Sequence, residues 1–128
     1  RLETGALGPE DYPHYAHIAT AWQALEEEQD FGRALSRYSR ALKAYATAQG
    51  AAGKYHETIT VFFLSLIHRH RAERPGESWA EFETRNRMLF DRPDLLLNRH
   101  YSTHQLGSAM AKRCFVLPDL APEQKAAQ

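Results

Sequence analysis

Apolar residues recur every three or four positions along most of the chain, which is the spacing of an amphipathic helix. Residues 11–28 and the segment after Asp30 both show this pattern. Asp30 also suits the N-cap of the second helix, because its short carboxylate accepts hydrogen bonds from the first-turn amides. Gly50 and Gly53 are expected to end that helix. The apolar positions of the two predicted helices are Ile18, Ala21, Trp22 and Leu25, then Phe31, Leu35, Tyr38, Leu42 and Tyr45.

The segment from Lys54 to Arg71 is ambiguous, because residues 58–63 are β-branched or aromatic and therefore have the composition of a strand. A strand needs a partner, and no other segment alternates apolar and polar residues beside hairpin or crossover signals. We therefore predict a third helix, apolar on nearly every side over residues 59–67, as is typical of a central helix covered by its neighbours.

Helix starts are well marked in the second half of the chain. Ser78 and Glu81 have the spacing of a capping box, in which each side chain bonds the backbone amide of the other. Pro93 suits the first position of a short helix. Ser102 and Gln105 predict a second capping box and with it a last helix that ends near residue 115. The positions in register on that helix are Leu106, Met110 and Cys114.

Together these elements predict an all-α fold, a compact single-domain bundle of about five helices with an extended C-terminal tail. The chain has 128 residues, the usual length of one domain. We predict a flexible lead-in over residues 1–10, a helical domain over 11–117 and a tail over 118–128. Pro118 and Pro122 prevent long helix in that tail.

Charge and composition exclude several classes of function. The 16 Lys and Arg residues balance 16 Asp and Glu residues, which predicts no nucleic-acid partner. No stretch approaches the roughly 20 apolar residues that span a bilayer, so no membrane partner is expected. Cys114 is the one cysteine and cannot form an intramolecular disulfide, which favours a cytoplasmic location. The sequence also contains no phosphate-binding glycine loop, nucleophile elbow or paired-cysteine motif.

The seven histidines offer the strongest candidate chemistry. His14 lies on the apolar stripe of the first helix, and His17 follows one turn later. His56 begins the apolar row of the third helix, and His100 precedes the last helix. Because the first and third helices of an antiparallel bundle start at the same end, the sequence predicts a polar pocket formed by His14, His56 and His100.

Further groups would complete such a pocket. His17 would add a metal ligand, and Tyr55, Glu57 and Tyr101 are candidate catalytic residues or orienting groups. The set would hold a divalent transition metal such as zinc, iron, manganese or copper and leave a coordination position open. The competing interpretation is that the histidines bond carbonyls or carboxylates, because their spacing matches no standard zinc or di-iron signature.

Three blocks of the sequence resemble those of a group of small, mostly uncharacterised bacterial helical proteins. They are residues 54–60 (KYHETIT), 99–102 (RHYS) and 115–119 (FVLPD), and the resemblance covers the chain from Tyr15 onward. It implies that the blocks around His56 and His100 belong to one structural unit, and it assigns no activity to any residue.

Two functions follow from the sequence. The first is a small helical protein whose histidine pocket binds a divalent metal ion or a small molecule, with enzymatic activity left open. The second is a non-catalytic interaction or regulatory module, in which exposed aromatic residues of the second and fourth helices form a homodimer or partner surface.

Overall fold

The computed structural model describes residues 13–120, which form eight α-helices and one 3-10 turn and include no strand. The predicted all-α fold is confirmed. No helix in this part of the chain combines the length and apolarity needed to cross a bilayer. The elements are α1 (Pro13–Glu27), α2 (Phe31–Ala48), the 3-10 turn (Ala52–Lys54), α3 (Glu57–Glu73), α4 (Trp79–Arg85), α5 (Arg87–Asp91), α6 (Pro93–Asn98), α7 (Thr103–Leu106) and α8 (Ala109–Arg113).

The core lies among α1, α2 and α3, with α4 and α5 closing one side. Fully buried alanines line α1 and α2, and their small side chains let the two helices approach closely. The strand-like composition of α3 is overridden because α1, α2 and α8 all pack against it. The buried residues of this core include Ile18, Ala21, Ala24, Ala34, Leu64, Ile67, Phe82 and Leu89.

Three helix starts agree with the sequence. The Asp30 carboxylate accepts the Arg33 N–H at 2.9 Å. Both halves of the Ser78 and Glu81 capping box are present, at 3.1 and 2.9 Å. Pro93 occupies the first turn of α6. Gly50 follows the end of α2 with a φ of 71°, a value that favours glycine.

The prediction of one last helix was wrong, because α7 ends at the C-cap Gly107 and a new helix begins after the N-cap Ser108. The Ser108 hydroxyl accepts the Ala111 N–H at 3.0 Å and so begins α8 as a separate helix. The new direction leaves Met110 and Cys114 exposed, not in the core. The prediction of a second capping box was also wrong, because only one of its two hydrogen bonds forms. Ser102 caps α7, but its own N–H donates to Asp119 at 2.8 Å.

Residues 115–120, here called the C-terminal strap, run without helix across the end of the bundle. The Tyr101 hydroxyl donates to the Val116 carbonyl at 2.7 Å, and the Leu120 N–H donates to the His100 carbonyl at 3.0 Å. The predicted extended tail, residues 118–128, is confirmed over residues 118–120, whereas residues 115–117 were predicted to belong to the helical domain. The predicted lead-in, residues 1–10, and residues 121–128 of the predicted tail lie outside the described part.

Candidate functional site

His14 and His17 lie on the inner side of α1, where both rings are largely covered. The His14 Nε2–H donates to the Leu89 carbonyl at 3.0 Å, and its ring meets Phe63 edge-on at 5.5 Å. The His17 ring packs against Tyr45 at 5.6 Å. Burial lowers the pKa of His14, and burial together with the nearby His14 lowers the pKa of His17 to about 4. Both rings are therefore neutral near pH 7.

His56 uses both of its ring nitrogens in hydrogen bonds. Its Nδ1 accepts the Ile59 N–H at 3.2 Å, so the side chain is the N-cap of α3 and does not lie within the helix. The opposite nitrogen, Nε2, donates to the Leu106 carbonyl at 2.8 Å. His56 thus caps one helix and anchors α7, and neither nitrogen keeps a lone pair directed at a metal ion.

The structure does not bring His14, His56 and His100 together at one point. The His100 Nδ1–H donates to the Leu96 carbonyl at 3.1 Å, and its ring packs on Phe62 at 5.2 Å. Phe62 in turn contacts Phe63, the partner of His14, so two apolar rings lie between these histidines. Residues 13–120 contain no group of three His, Cys, Asp or Glu side chains placed to hold a metal ion. Metal binding by these histidines stays a prediction of the sequence.

Tyr55 and Glu57 do meet, as part of a polar network between α2 and the start of α3. The Tyr55 hydroxyl donates to Glu57 at 2.6 Å, so the 3.0 Å contact with Ser39 must have the serine as donor. Burial raises the pKa of Tyr55, and the bond to Glu57 raises it further. The Lys43 ammonium lies 5.1 Å from the centre of the Tyr55 ring. The network joins the two helices through groups that satisfy one another.

The block that contains His56 is bound to the C-terminal part of the chain. The Thr58 side chain is fully buried, and its hydroxyl contacts the carbonyls of Ala111 and Cys114 at 2.7 and 2.9 Å. The same oxygen accepts the Val116 N–H at 3.1 Å. The hydroxyl of Tyr101, also buried, donates to the Val116 carbonyl. The three sequence blocks therefore form one structural unit, and several of their polar residues hold the strap in place.

A cleft that the sequence did not indicate lies where α1 and α3 both end. It has a volume of about 470 Å³, within the range of small-molecule sites. We call it the α1–α3 cleft. Its walls combine partly exposed aromatic rings with charged side chains from α1, the start of α2, the end of α3 and the loop that follows. The residues used below are Trp22, Glu26, Glu28, Phe31, His68 and Arg71.

An ion pair forms one side of the cleft. The Arg71 guanidinium stacks 4.8 Å from the centre of the Trp22 ring and bonds Glu26 at 2.9 Å. On the side next to the start of α2, the rings of Phe31 and His68 lie 5.1 Å apart. The cleft therefore places flat ring surfaces beside charged side chains, and polar surface exceeds apolar surface in its lining.

A larger depression of about 730 Å³ lies beyond the 74–77 loop, but it is less suited to a ligand. Arg85 fills its polar side, with bonds to Glu77 at 2.7 and 2.9 Å and to the His70 carbonyl at 2.8 Å. These groups satisfy one another, and the lining includes no aromatic ring. We therefore regard the α1–α3 cleft as the candidate site.

Sequence reasoning missed the cleft because it is formed by the ends of two helices and a loop that are distant in the chain. One signal was present: Trp22 and Phe31 flank the polar turn between α1 and α2 and are only partly covered by the core. No family model, curated protein or solved structure matches the chain significantly.

Proposed function

We propose that the protein is a non-catalytic binding module that holds a small organic ligand in the α1–α3 cleft. The observation that carries the proposal is the cleft itself, with aromatic walls and converging charged groups in a volume of about 470 Å³. The proposal keeps the small-molecule site expected from the sequence and moves it from the histidine pocket to the opposite end of α1.

Binding is favoured over catalysis because each carboxylate of the cleft is paired with an arginine. Glu26 bonds Arg71, and Glu28 lies 3.4 Å from Arg37. Such pairs give fixed charges for recognition, whereas a nucleophile or general base needs a reactive lone pair directed at the substrate.

Filling the cleft is expected to abolish binding. Ala72 is exposed on α3 and lines the cleft, so Ala72→Phe places a ring in the ligand volume without disturbing the core. Ser65→Phe adds the same ring at an exposed position of α3 outside the cleft and serves as the matched control. Fragment screening by protein NMR measures the result through the Trp22 indole signal.

We expect fragments to shift that signal in the native protein and in Ser65→Phe, and to bind Ala72→Phe at least about tenfold more weakly. If no fragment of a broad library shifts cleft signals in the native protein, the proposed function is wrong.

The second candidate function is the interaction module. The surface that supports it differs from the surface that the sequence predicted. The sequence predicted exposed aromatic residues on α2 and α4. This prediction was wrong, because Tyr38 and Phe82 are buried and the other aromatic residues of these helices are partly covered. Four of the seven exposed large hydrophobic residues of the described part lie instead within residues 110–120, and Leu117 is 73% exposed. Exposed apolar residues concentrated in this way favour a protein contact.

Removing this apolar surface tests the homodimer form of the second candidate. Phe115→Ser with Leu117→Ser is expected to leave the fold intact, because both side chains are exposed. Sedimentation of the native protein is expected to show association in the range of tens of micromolar, and the double variant to remain monomeric. A native protein that stays monomeric at millimolar concentration contradicts the homodimer.

A further inference from the structure

We infer that the α1–α3 cleft selects organic cations, meaning compounds that carry an amidinium, guanidinium or ammonium group on a flat or apolar body. The inference rests on the proposed function and names the class of ligand for the same site. Three features of the cleft support it: the aromatic walls, an arginine of the chain that already binds in this manner, and a carboxylate, Glu28, that retains capacity for a further donor.

The charges around the cleft are nearly balanced once the partners of the lining groups are counted. The lining includes the carboxylates Glu26, Glu28 and Glu77 and the guanidinium groups Arg71 and Arg74. Arg37 and Arg85, which lie outside the lining, pair with Glu28 and Glu77. α1 and α3 end at the cleft and α2 begins there, so the partial negative charge of two helix C-termini is partly offset by the partial positive charge of one N-terminus. Net charge therefore does not select the ligand, and the preference for a cation depends on the rings and on Glu28.

The aromatic walls add an attraction specific to cations. Trp22 and Phe31 present rings to the cleft, and the negative face of such an aromatic ring attracts a nearby cation. The gain reaches roughly 0.5 to 2 kcal/mol for a cation that loses part of its water. A neutral or anionic compound of equal size gains only the apolar contact.

Arg71 shows this recognition within the protein itself. Its guanidinium lies over the Trp22 ring at 4.8 Å and bonds the Glu26 carboxylate at 2.9 Å, so ring and carboxylate hold one cation together. The arrangement demonstrates that this part of the cleft has the geometry for a planar cation. Because the Arg71 guanidinium already covers the face of the Trp22 ring, a ligand is expected to bind the neighbouring ring and carboxylate.

Phe31 and Glu28 supply that second ring and carboxylate. Glu28 is partly exposed in the cleft, and its contact with Arg37 is long, at 3.4 Å. Arg37 forms its shorter bond with Glu27, so Glu28 retains capacity for a further donor. A ligand cation between Phe31 and Glu28 repeats the arrangement of Arg71 between Trp22 and Glu26.

Arg74 is the one group of the cleft that opposes a cation. It forms no ion pair with any carboxylate of residues 13–120. It lies near Glu77, however, and its positive charge helps to lower the pKa of that carboxyl, after the larger effect of Arg85. Glu77 is already bonded to Arg85, so it offsets the charge of Arg74 only in part, and a cation is expected to bind beside Glu28 and not beside Arg74.

Three compounds of one shape separate charge from size. Benzamidinium, benzamide and benzoate are planar and nearly isosteric, and they carry positive, zero and negative charge. We expect benzamidinium to bind the native protein at least about tenfold more tightly than benzamide, and benzoate to bind most weakly. Titrations followed through the Trp22 indole N–H signal give the three dissociation constants.

The outcomes separate this inference from the proposed function. If benzamide or benzoate shifts the cleft signals as strongly as benzamidinium, the cleft binds ligands but the preference for cations is wrong. If none of the three compounds binds at millimolar concentration and the fragment screen is also empty, both are wrong.

Glu28→Gln tests the proposed position of the cation, because it removes the charge and preserves the shape. We expect this variant to weaken benzamidinium binding about five- to tenfold and to leave benzamide unchanged. Asp91→Asn, an equal change in an exposed ion pair on α5, serves as the control and should alter neither constant. An equal loss for benzamidinium and benzamide in Glu28→Gln indicates a reshaped cleft and overturns the assignment.

Discussion

Thr58→Val is expected to lower the free energy of unfolding by about 2 to 3 kcal/mol, because it removes a hydroxyl and leaves buried backbone groups without partners. The hydroxyl contacts the carbonyls of Ala111 and Cys114 and accepts the Val116 N–H, and the side chain is 0% exposed. Valine has nearly the same shape, so the loss reports hydrogen bonding and not a cavity. Chemical denaturation measures the change, and amide exchange at Val116 locates it.

Thr60→Val is the matched control for this effect. Thr60 is also buried on α3, but its hydroxyl donates to the His56 carbonyl at 2.8 Å and contacts the Tyr55 hydroxyl, which keeps Glu57 and Ser39 as partners. That carbonyl keeps the Thr60 N–H as a second partner, so a loss below about 1 kcal/mol is expected. Equal losses in the two variants, or unchanged exchange at Val116, would show that Thr58 does not hold the strap.

Mild acid is expected to destabilise the protein before its carboxylates titrate. The folded-state pKa of His17 is about 4, against 6.5 for the ordinary group, and the pKa values of His14 and His70 are lowered in the same direction. The unfolded chain therefore binds protons more readily, and stability falls as the pH decreases from about 6.5 toward 4. The loss from His17 alone is on the order of 2 to 3 kcal/mol.

His17→Phe isolates this contribution. The variant keeps a ring against Tyr45 and cannot bind a proton, so its stability should change much less between pH 6.5 and 4.5. A native protein whose unfolding free energy is constant over this range would refute the expectation.

Carboxyl groups with lowered pKa, such as Asp119, affect stability mainly below this window.

Helix starts were predictable where a single side chain fixes the backbone conformation of the first turn. Asp30, Ser78 and Pro93 each act within a single turn, and the sequence therefore contains all the information that fixes those starts. The α3 helix was predictable by elimination, since the chain offers no partner for a strand. The break between α7 and α8 was missed because Ser108 was read as part of a helix, although a serine after glycine is also a normal cap.

The candidate site was less predictable, because it depends on contacts between distant segments. His56 and His100 were correctly placed near the start of α3 and before α7, but the carbonyls that occupy their nitrogens belong to Leu106 and Leu96. Nothing in local spacing identifies such partners. The α1–α3 cleft depends in the same way on how two helix ends meet, a tertiary property that helical periodicity does not contain.

The bond between Thr58 and Val116 joins residues 58 positions apart in the chain. Contacts of that separation form late, because the entropy of closing a long loop is lost before the bond is gained. At typical rates of protein synthesis Val116 is added about 3 to 12 s after Thr58. Until Val116 has been synthesised, the start of α3 lacks the strap that covers it in the folded protein. Chaperones and proteases would meet the growing protein at this end, and a ribosome that stalls before Val116 would leave it open.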